Sequence, residues 1–276
     1  MSTDNAIRTS AIPATVFTVI AAISFSHFLN DLMQSLLPAI YPMLKDDFGL
    51  SFGQIGLLTL TFQSTASLLQ PVVGIVADRR ALPYSMAVGM GSTLTGLLLL
   101  AVATNFALLV TAAALVGLGS AVFHPEASRV ARMAAGMRPG LAQSMFQVGG
   151  NFGSALGPLL AAFIVLPFGQ HSIGLFSLVA VLAMFVLFRV GNWYRGHLAN
   201  LLNRSRAVLA GASRGRIRAS VLILVILTFS KAVYGAALGS YYTFFLIERF
   251  DVTIRDSQLL LFVYMAAVVV GTVIGG

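Results

Sequence analysis

The sequence predicts an all-α integral membrane protein, and three observations carry that expectation. Hydrophobic residues fill 58% of the 276 positions and charged residues only 9%, whereas about a quarter of an ordinary soluble domain is charged. The mean hydropathy is +0.90. The apolar residues are gathered into runs near or above the roughly 20 residues that a helix needs to cross a bilayer. Backbone groups in lipid must be satisfied within the segment, so runs of this kind are helices.

Eight apolar segments follow one another, at 13–43, 52–77, 83–103, 107–127, 141–166, 172–190, 219–247 and 258–276. Arg8 ahead of the first could mark a secretory leader over residues 1–23. The apolar pattern continues to Met43 without a cleavage site, which favours a spanning segment. The absence of cysteine removes disulfides and thiolate metal sites. The formal charge of +8 does not point to nucleic acid, because the basic residues cluster in the short connections between apolar runs.

With the N-terminus placed in the cytoplasm, the inner connections hold Arg8, Arg79, Arg80, Arg129, Arg132, Arg138 and seven arginines from Arg189 to Arg218. The outer connections hold Lys45, Arg249 and Arg255, together with the acids Asp46, Asp47, Glu248, Asp251 and Asp256. Thirteen inner against three outer basic residues satisfy the positive-inside rule, so the N-terminus is expected inside.

Residues 191–218 form the one long connection and contain no acid. They read as a cytoplasmic linker that fixes topology and lies on anionic headgroups, in preference to a ligand site. An internal repeat spans this linker. "SFSH" at 24–27 resembles "TFSK" at 228–231, "DFGLS" at 47–51 matches "RFDVT" at 249–253 in character, and "PVVG" at 71–74 falls opposite "VIGG" at 273–276. The first pair is offset by 204 residues and the others by 202. The expected organisation is a six-helix N-terminal bundle over 1–190, the linker over 191–218, and the first two helices of a C-terminal bundle over 219–276. On this reading the chain is the first two thirds of a twelve-helix protein built from related halves.

Polar residues inside these runs are the candidates for chemistry. In the first segment Ser24, His27, Asp31, Gln34, Ser35 and Pro38 recur every three or four residues and share one helix face, with Asn30 beside them. An ionised carboxylate at the bilayer centre costs about 2.5–3.5 kcal/mol on insertion scales, so this face turns to a hydrated cavity or a partner. Two readings fit: a buried His–Asp pair that locks helices together, or a proton or substrate site. In the second segment Gln63, Ser67, Gln70 and Gly74 are helix-packing glue or substrate contacts. In the third, Ser85, Gly89, Thr93 and Gly96 form a close-packing stripe.

"VFHPEASRVARM" in the fourth segment sets Glu126 and Arg129 three residues apart, with His124, Ser128 and Arg132 on a neighbouring face. Arg129 offers a planar fork for a phosphonate or carboxylate, and Glu126 could exchange it for a proton; a local ion pair anchoring the helix is the alternative. In the fifth segment Gln143, Gln147, Asn151 and Ser154 make a second polar stripe. Gly149, Gly153 and Gly157 beside it admit a close neighbour ahead of a bend at Pro158. There is no HExxH and no second His at ligand spacing, so no metal site is expected. Nucleotide-binding and hydrolase motifs are missing, so neither an enzyme nor an ATP-driven pump is expected.

These pieces resemble the major facilitator superfamily. "GIVADRR" at 74–80 looks like its loop motif, with Gly74, Asp78 and Arg79 in the gating positions, and "GxxxGP" at 153–158 looks like its antiporter motif. The loop departs from the family pattern at Ala81, Leu82 and Pro83. "SHFLNDLMQSLLPAIYPMLK", "VFHPEASRVARMAAG" and "GLAQSMFQVGGNFGSALGPLLAA" resemble the fosmidomycin-resistance branch of that superfamily.

The resemblance implies the major facilitator fold and proton-coupled drug efflux across the bacterial inner membrane. The proton gradient would be the energy source with no cofactor, and the protein a monomer in the bilayer acting on a small anionic drug. It sets Asp31, Arg129 and Lys231 on a central cavity. Asp31, His27 and Glu126 are the expected proton carriers. Asn30, Gln34, His124, Arg129, Gln143, Gln147, Asn151, Lys231 and Tyr234 are the expected substrate contacts, and Lys231 is a cation partner for Asp31. A non-transporting membrane fragment and an importer of a small organic anion are the alternative readings.

Overall fold

The computed structural model describes residues 15–198 and 214–275, and every regular element among them is helical. Helix α1 spans Phe17–Ala39 and is followed by the short α2, Tyr41–Phe48. Pro42 separates them, since its ring has no N–H and crowds the carbonyl four residues back. Gly49 ends α2 at φ +60°, a conformation that glycine adopts without a Cβ penalty.

Helix α3, Phe52–Arg79, opens on a capping box. The Ser51 hydroxyl accepts from the Gln54 amide at 3.2 Å, and the Gln54 side chain accepts from the Ser51 amide at 2.9 Å. It is interrupted by a π turn over Ser64–Leu68. Then come α4, Ser85–Val102, and α5, Phe106–Ala134, the latter capped by Asn105. They are followed by α6, Pro139–Phe168, α7, Gln170–His197, α8, Arg214–Phe250, and α9, Ile254–Gly275.

Several helices outrun their apolar segments. The fourth was expected to end at 127, yet α5 continues to Ala134; α7 reaches His197 and α8 begins at Arg214. All three extensions carry arginine, one in α7 and two or three in the others, whose long side chains let a helix run past the hydrocarbon while the charge stays wet. Both ends of the expected linker are therefore helical. Its middle, 199–213, lies outside the described residues, as do Arg8 and the first 14 residues of the leader reading.

Among the described residues seven helices, α3 to α9, are long and apolar enough to cross a membrane. The eighth expected span, α1, has 23 residues but carries the polar face that dilutes its hydropathy. It is accommodated by packing: Ser26, His27 and Asn30 are buried together with Ile20, Ile23, Met33 and Leu36.

Small residues set the close approaches. A Cβ on Gly149, Gly153 or Gly157 of α6 would run into Ser24, Phe28 or Ser35 of α1, so the two backbones lie in contact along much of α1. After Pro158 the α6 ladder slips into a π turn at Ala161–Val165, as expected where an amide donor is missing. The expected α4 stripe packs on α5, where a Cβ on Gly96 would lie 2.8 Å from Val116 Cγ2 and 2.9 Å from the Ala112 carbonyl.

The second group of helices docks on the first at named points. Buried Gln258 of α9 donates to the Ala39 carbonyl at 2.8 Å, and Asn151 of α6 donates to Thr272 Oγ1 at 2.9 Å. Phe244 of α8 meets Phe52 edge-on at 5.3 Å, with Lys45 Nζ 5.0 Å from the Phe52 ring. Thr253 accepts from the Asp256 amide at 3.1 Å and caps α9 as Ser51 caps α3. The two caps are separated by the repeat's offset.

Replacing Gly153 by Val inserts three carbons into the α1–α6 contact, where overpacking costs about 1–3 kcal/mol or more. Gly74→Ala is the contrast, since a Cβ there meets nothing within 4 Å. Thermal melts in detergent are expected to show a lowered Tm for Gly153→Val and an unchanged or raised Tm for Gly74→Ala, consistent with the roughly 1 kcal/mol helix advantage of alanine.

Candidate functional site

Three helices bring their polar residues to one point. Asp31 on α1 stands one turn after His27, and His27 Nε2 lies 3.2 Å from Asp31 Oδ2. From α5, His124 Nε2 approaches the other carboxylate oxygen, Oδ1, at 3.5 Å. From α6, the Phe146 carbonyl receives His27 Nδ1 at 2.7 Å. A carbonyl oxygen only accepts, so Nδ1 carries the proton and Nε2 is the atom turned to Asp31.

The His27 ring is fixed on its faces as well. It stacks on Phe146 with centroids 4.0 Å apart and planes 20° apart, and Phe123 lies 5.8 Å away. Gly150 provides the space: a Cβ there would strike the imidazole and stand 2.8 Å from Asp31 Oδ2. Asn30 Nδ2 donates to Asp31 Oδ1 at 2.9 Å, and Gln34 Nε2 approaches the same oxygen at 3.5 Å. His124 has its own anchor, with Nδ1 3.0 Å from the Ser120 carbonyl and 3.1 Å from the Ser120 hydroxyl.

The cluster opens on a cavity of about 420 Å³ between the two groups of helices. Asp31, Gln34, His124 and Asn151 line one side; Ala232 and Gly239 of α8 line the other. The side chains of Asp31 and His124 are 18% and 27% exposed to it, while that of His27, at 3%, is sealed behind them.

The structure divides the other expected site residues among different places. Arg129 does not reach the cavity. Its Nη1 donates to the Ala77 carbonyl at 2.8 Å and its Nη2 bonds Asp78, so the guanidinium clamps the end of α3 to α5. The planar fork expected for a substrate oxyanion is thus used on a helix terminus and on the loop-motif carboxylate. Glu126 is 1% exposed, 3.6 Å from Arg129, and faces a separate apolar groove between α3, α4 and α5. Arg79 is exposed and makes no side-chain pairing among the described residues, and Gly74 borders open space.

On α6, Asn151 lines the cavity, while Gln143 and Gln147 are exposed away from it; Gln143 accepts from Ser128 Oγ at 3.4 Å. The glycine face of α6 turns to α1, which leaves only one end of the polar stripe on the cavity. Lys231 and Tyr234 are exposed and do not line it. The face of α8 that does is Ala232, Gly235, Ala236 and Gly239, and at about 100° per residue Lys231 falls a quarter turn to its side. The expected Lys231–Asp31 pair is not formed, and two histidines occupy the carboxylate instead.

Gly150, Phe146, Ser120 and Gln258 were missed in the sequence. The Gly149–Gly150 doublet and the isolated polar Gln258 were available signals. Backbone carbonyls, which do the work at Phe146 and Ser120, leave none.

Residues 23–276 match the Major Facilitator Superfamily, and the chain belongs to that family. It is 53% identical over 263 residues to the "Fosmidomycin resistance protein" of Escherichia coli (strain K12), covering 95% of this chain and 65% of that protein. It is 40% identical over 266 residues to the "Uncharacterized MFS-type transporter YfnC" of Bacillus subtilis (strain 168), with the same coverage of each chain. The chain thus spans 65% of the length of these curated relatives. Among solved structures, a bacterial homolog of the human lysosomal transporter Spinster superposes with a TM-score of 0.68 at 16% identity, over 89% of this chain and 57% of that one. That likeness concerns the fold. The family resemblance read from the polar strings is borne out, and the chain belongs to a family of transporters, not of enzymes.

Because Arg129 holds a helix end, its removal is read as stability. Arg129→Met leaves the Ala77 carbonyl and Asp78 without their donor, at a cost of about 1–3 kcal/mol. Arg79→Met removes an exposed charge and stays within about 0.5 kcal/mol. Chemical or thermal unfolding in detergent is expected to separate the two variants in that order.

Proposed function

We propose that the chain belongs to a secondary active transporter that exports a small anionic drug in exchange for protons, by alternating access about the cavity beside Asp31. The observation that carries this reading is one carboxylate held between two imidazoles, half sealed in apolar helices and half open to a cavity lined by both helix groups. An intramembrane carboxylate is costly and marks an ion or substrate path. A proton on the His27–Asp31 pair and a substrate in the adjacent cavity draw on the same negative charge, which is the condition for exchange.

The family match and the 53% identity to a fosmidomycin resistance protein support efflux of fosmidomycin or a related small anion. The basic residues support a cytoplasmic N-terminus and a multi-pass position in the bacterial inner membrane. With that orientation, the contacts of Lys45 with Phe52, Phe52 with Phe244 and Gln258 with Ala39 join the two helix groups at their outer ends. Lining of the cavity by small residues of α8 leaves room for a ligand, while His124, Gln34 and Asn151 supply its polar contacts. The protein works as a monomer, energised by the proton gradient.

The test is drug efflux with the full-length gene. Cells expressing it are expected to tolerate more fosmidomycin, and everted vesicles to show proton movement when the drug is added. Asp31→Asn keeps the shape of the side chain and removes its charge, so at least a tenfold drop in coupled flux is expected. Unchanged coupled efflux in Asp31→Asn would remove the carboxylate from the mechanism. Wild-type cells that gain no tolerance would remove the substrate class.

A further inference from the structure

We propose that His27, Asp31 and His124 form a binding site for a divalent transition-metal ion of the Zn²⁺ class, with an open coordination position facing the cavity. The inference goes beyond the transport reading and does not depend on it. One ligand atom from each residue lies within 4.8 Å of the others. No spacing along the chain announces this, because the second imidazole arrives from another helix.

The separations suit a small tetrahedral ion. Zinc bonds of about 2.0–2.1 Å hold neighbouring ligand atoms roughly 3.3–3.4 Å apart. Each imidazole lies near that spacing from one oxygen of Asp31, His27 Nε2 at 3.2 Å from Oδ2 and His124 Nε2 at 3.5 Å from Oδ1, and a set of one atom from each residue, within 4.8 Å of one another, contracts by side-chain rotation onto a single ion. Imidazole with carboxylate is a donor set for zinc, cobalt or nickel, and not for calcium or magnesium, which require more oxygens.

A second observation is the support behind each ligand. Metal-bound imidazoles present one nitrogen to the ion and donate the other N–H to a carbonyl or carboxylate. Both rings are held in this way, His27 through the Phe146 carbonyl at 2.7 Å and His124 through the Ser120 carbonyl at 3.0 Å. Asn30 fixes the carboxylate from the side at 2.9 Å. With both Nδ1 atoms protonated, two nitrogen lone pairs and a carboxylate face one another. Three converging acceptors of this kind repel unless a proton or a metal cation lies among them, so the two compete for the same atoms.

Charge and access set the fourth position. Two neutral imidazoles and one carboxylate leave a dication with a net charge of +1. An anionic oxygen from the cavity side brings the site to neutrality, which a low-dielectric interior favours. Asp31 and His124 both line the cavity, so the vacant vertex of the tetrahedron points where a small anion would lie.

The experiment uses tag-free full-length protein in detergent, titrated with Co²⁺ and read by the strong visible bands of four-coordinate cobalt, with Zn²⁺ as competitor. One Co²⁺ per protein is expected, displaced by Zn²⁺. His124→Gln and Asp31→Asn are each expected to weaken binding at least tenfold, the lower range seen when even a supporting residue is lost. His171→Gln, an exposed histidine remote from the cluster, is expected to bind as wild type. An unchanged melting curve for His124→Gln shows that its loss of binding is not loss of fold; if that variant unfolds, Asp31→Asn gives the same reading. Absence of the cobalt bands in folded wild-type protein, or bands that survive in folded His124→Gln and Asp31→Asn, would overturn the proposal.

Discussion

The hydrogen bond from His27 Nδ1 to the Phe146 carbonyl, at 2.7 Å, is the contact on which the site depends. It joins α1 to α6 beside the Gly149–Gly150 pair that strips α6 of bulk, and it fixes which imidazole nitrogen remains for Asp31. Without it, His27 could turn or change tautomer, and Asp31 would be left with a mobile partner in an apolar setting. The glycines of α6 are therefore more than packing devices. Gly153 and its neighbours bring the backbones together, Gly150 leaves the imidazole its volume, and the carbonyl one turn earlier is thereby within reach.

Around this contact the polar groups separate into two centres with different tasks. Asp31 and His124 face a cavity, with His27 sealed behind them, and remain chemically available. Arg129, Asp78 and the Ala77 carbonyl satisfy one another at the end of α3, where α5 is locked against the loop motif. A fixed guanidinium is suited to a latch because it is always charged and bonds in two directions. Glu126 lies beside that latch rather than in the cavity, so the proton chemistry proposed for Asp31 and the helix-end clamp are physically distinct.

Much of the fold was legible because membrane solvent imposes strong rules. The apolar runs marked α3 to α9, and the offset of the repeat reappears as the matching caps Ser51 and Thr253. Helix ends were less legible at Arg129, Arg195 and Arg218, since arginine side chains carry helices beyond the hydrocarbon. Within the site, periodicity put His27, Asp31 and Gln34 on one face with Asn30 beside them, and the contacts of Asp31 with His27, Asn30 and Gln34 agree with that grouping. Periodicity says nothing about which helices meet. The family resemblance and the repeat instead put Arg129 and Lys231 beside Asp31, where the structure has His124, one of the expected substrate contacts. The resemblance also gave Gln147 a place on the cavity that rotation of α6 denies it. Phe146 was invisible for another reason: its hydrogen bond comes from a backbone atom, and its ring stacks on His27 as one apolar side chain among many in the sequence.

The most direct test of this account is the tautomer of His27. Nitrogen NMR of the full-length protein in bilayers, with ¹⁵N-labelled histidine and His27 assigned by substitution, reports which ring nitrogen bears the proton. The account predicts that the neutral ring is protonated at Nδ1, with Nε2 bare or shared with Asp31. A neutral His27 protonated at Nε2, with Nδ1 bare, would contradict the carbonyl contact and the arrangement built on it.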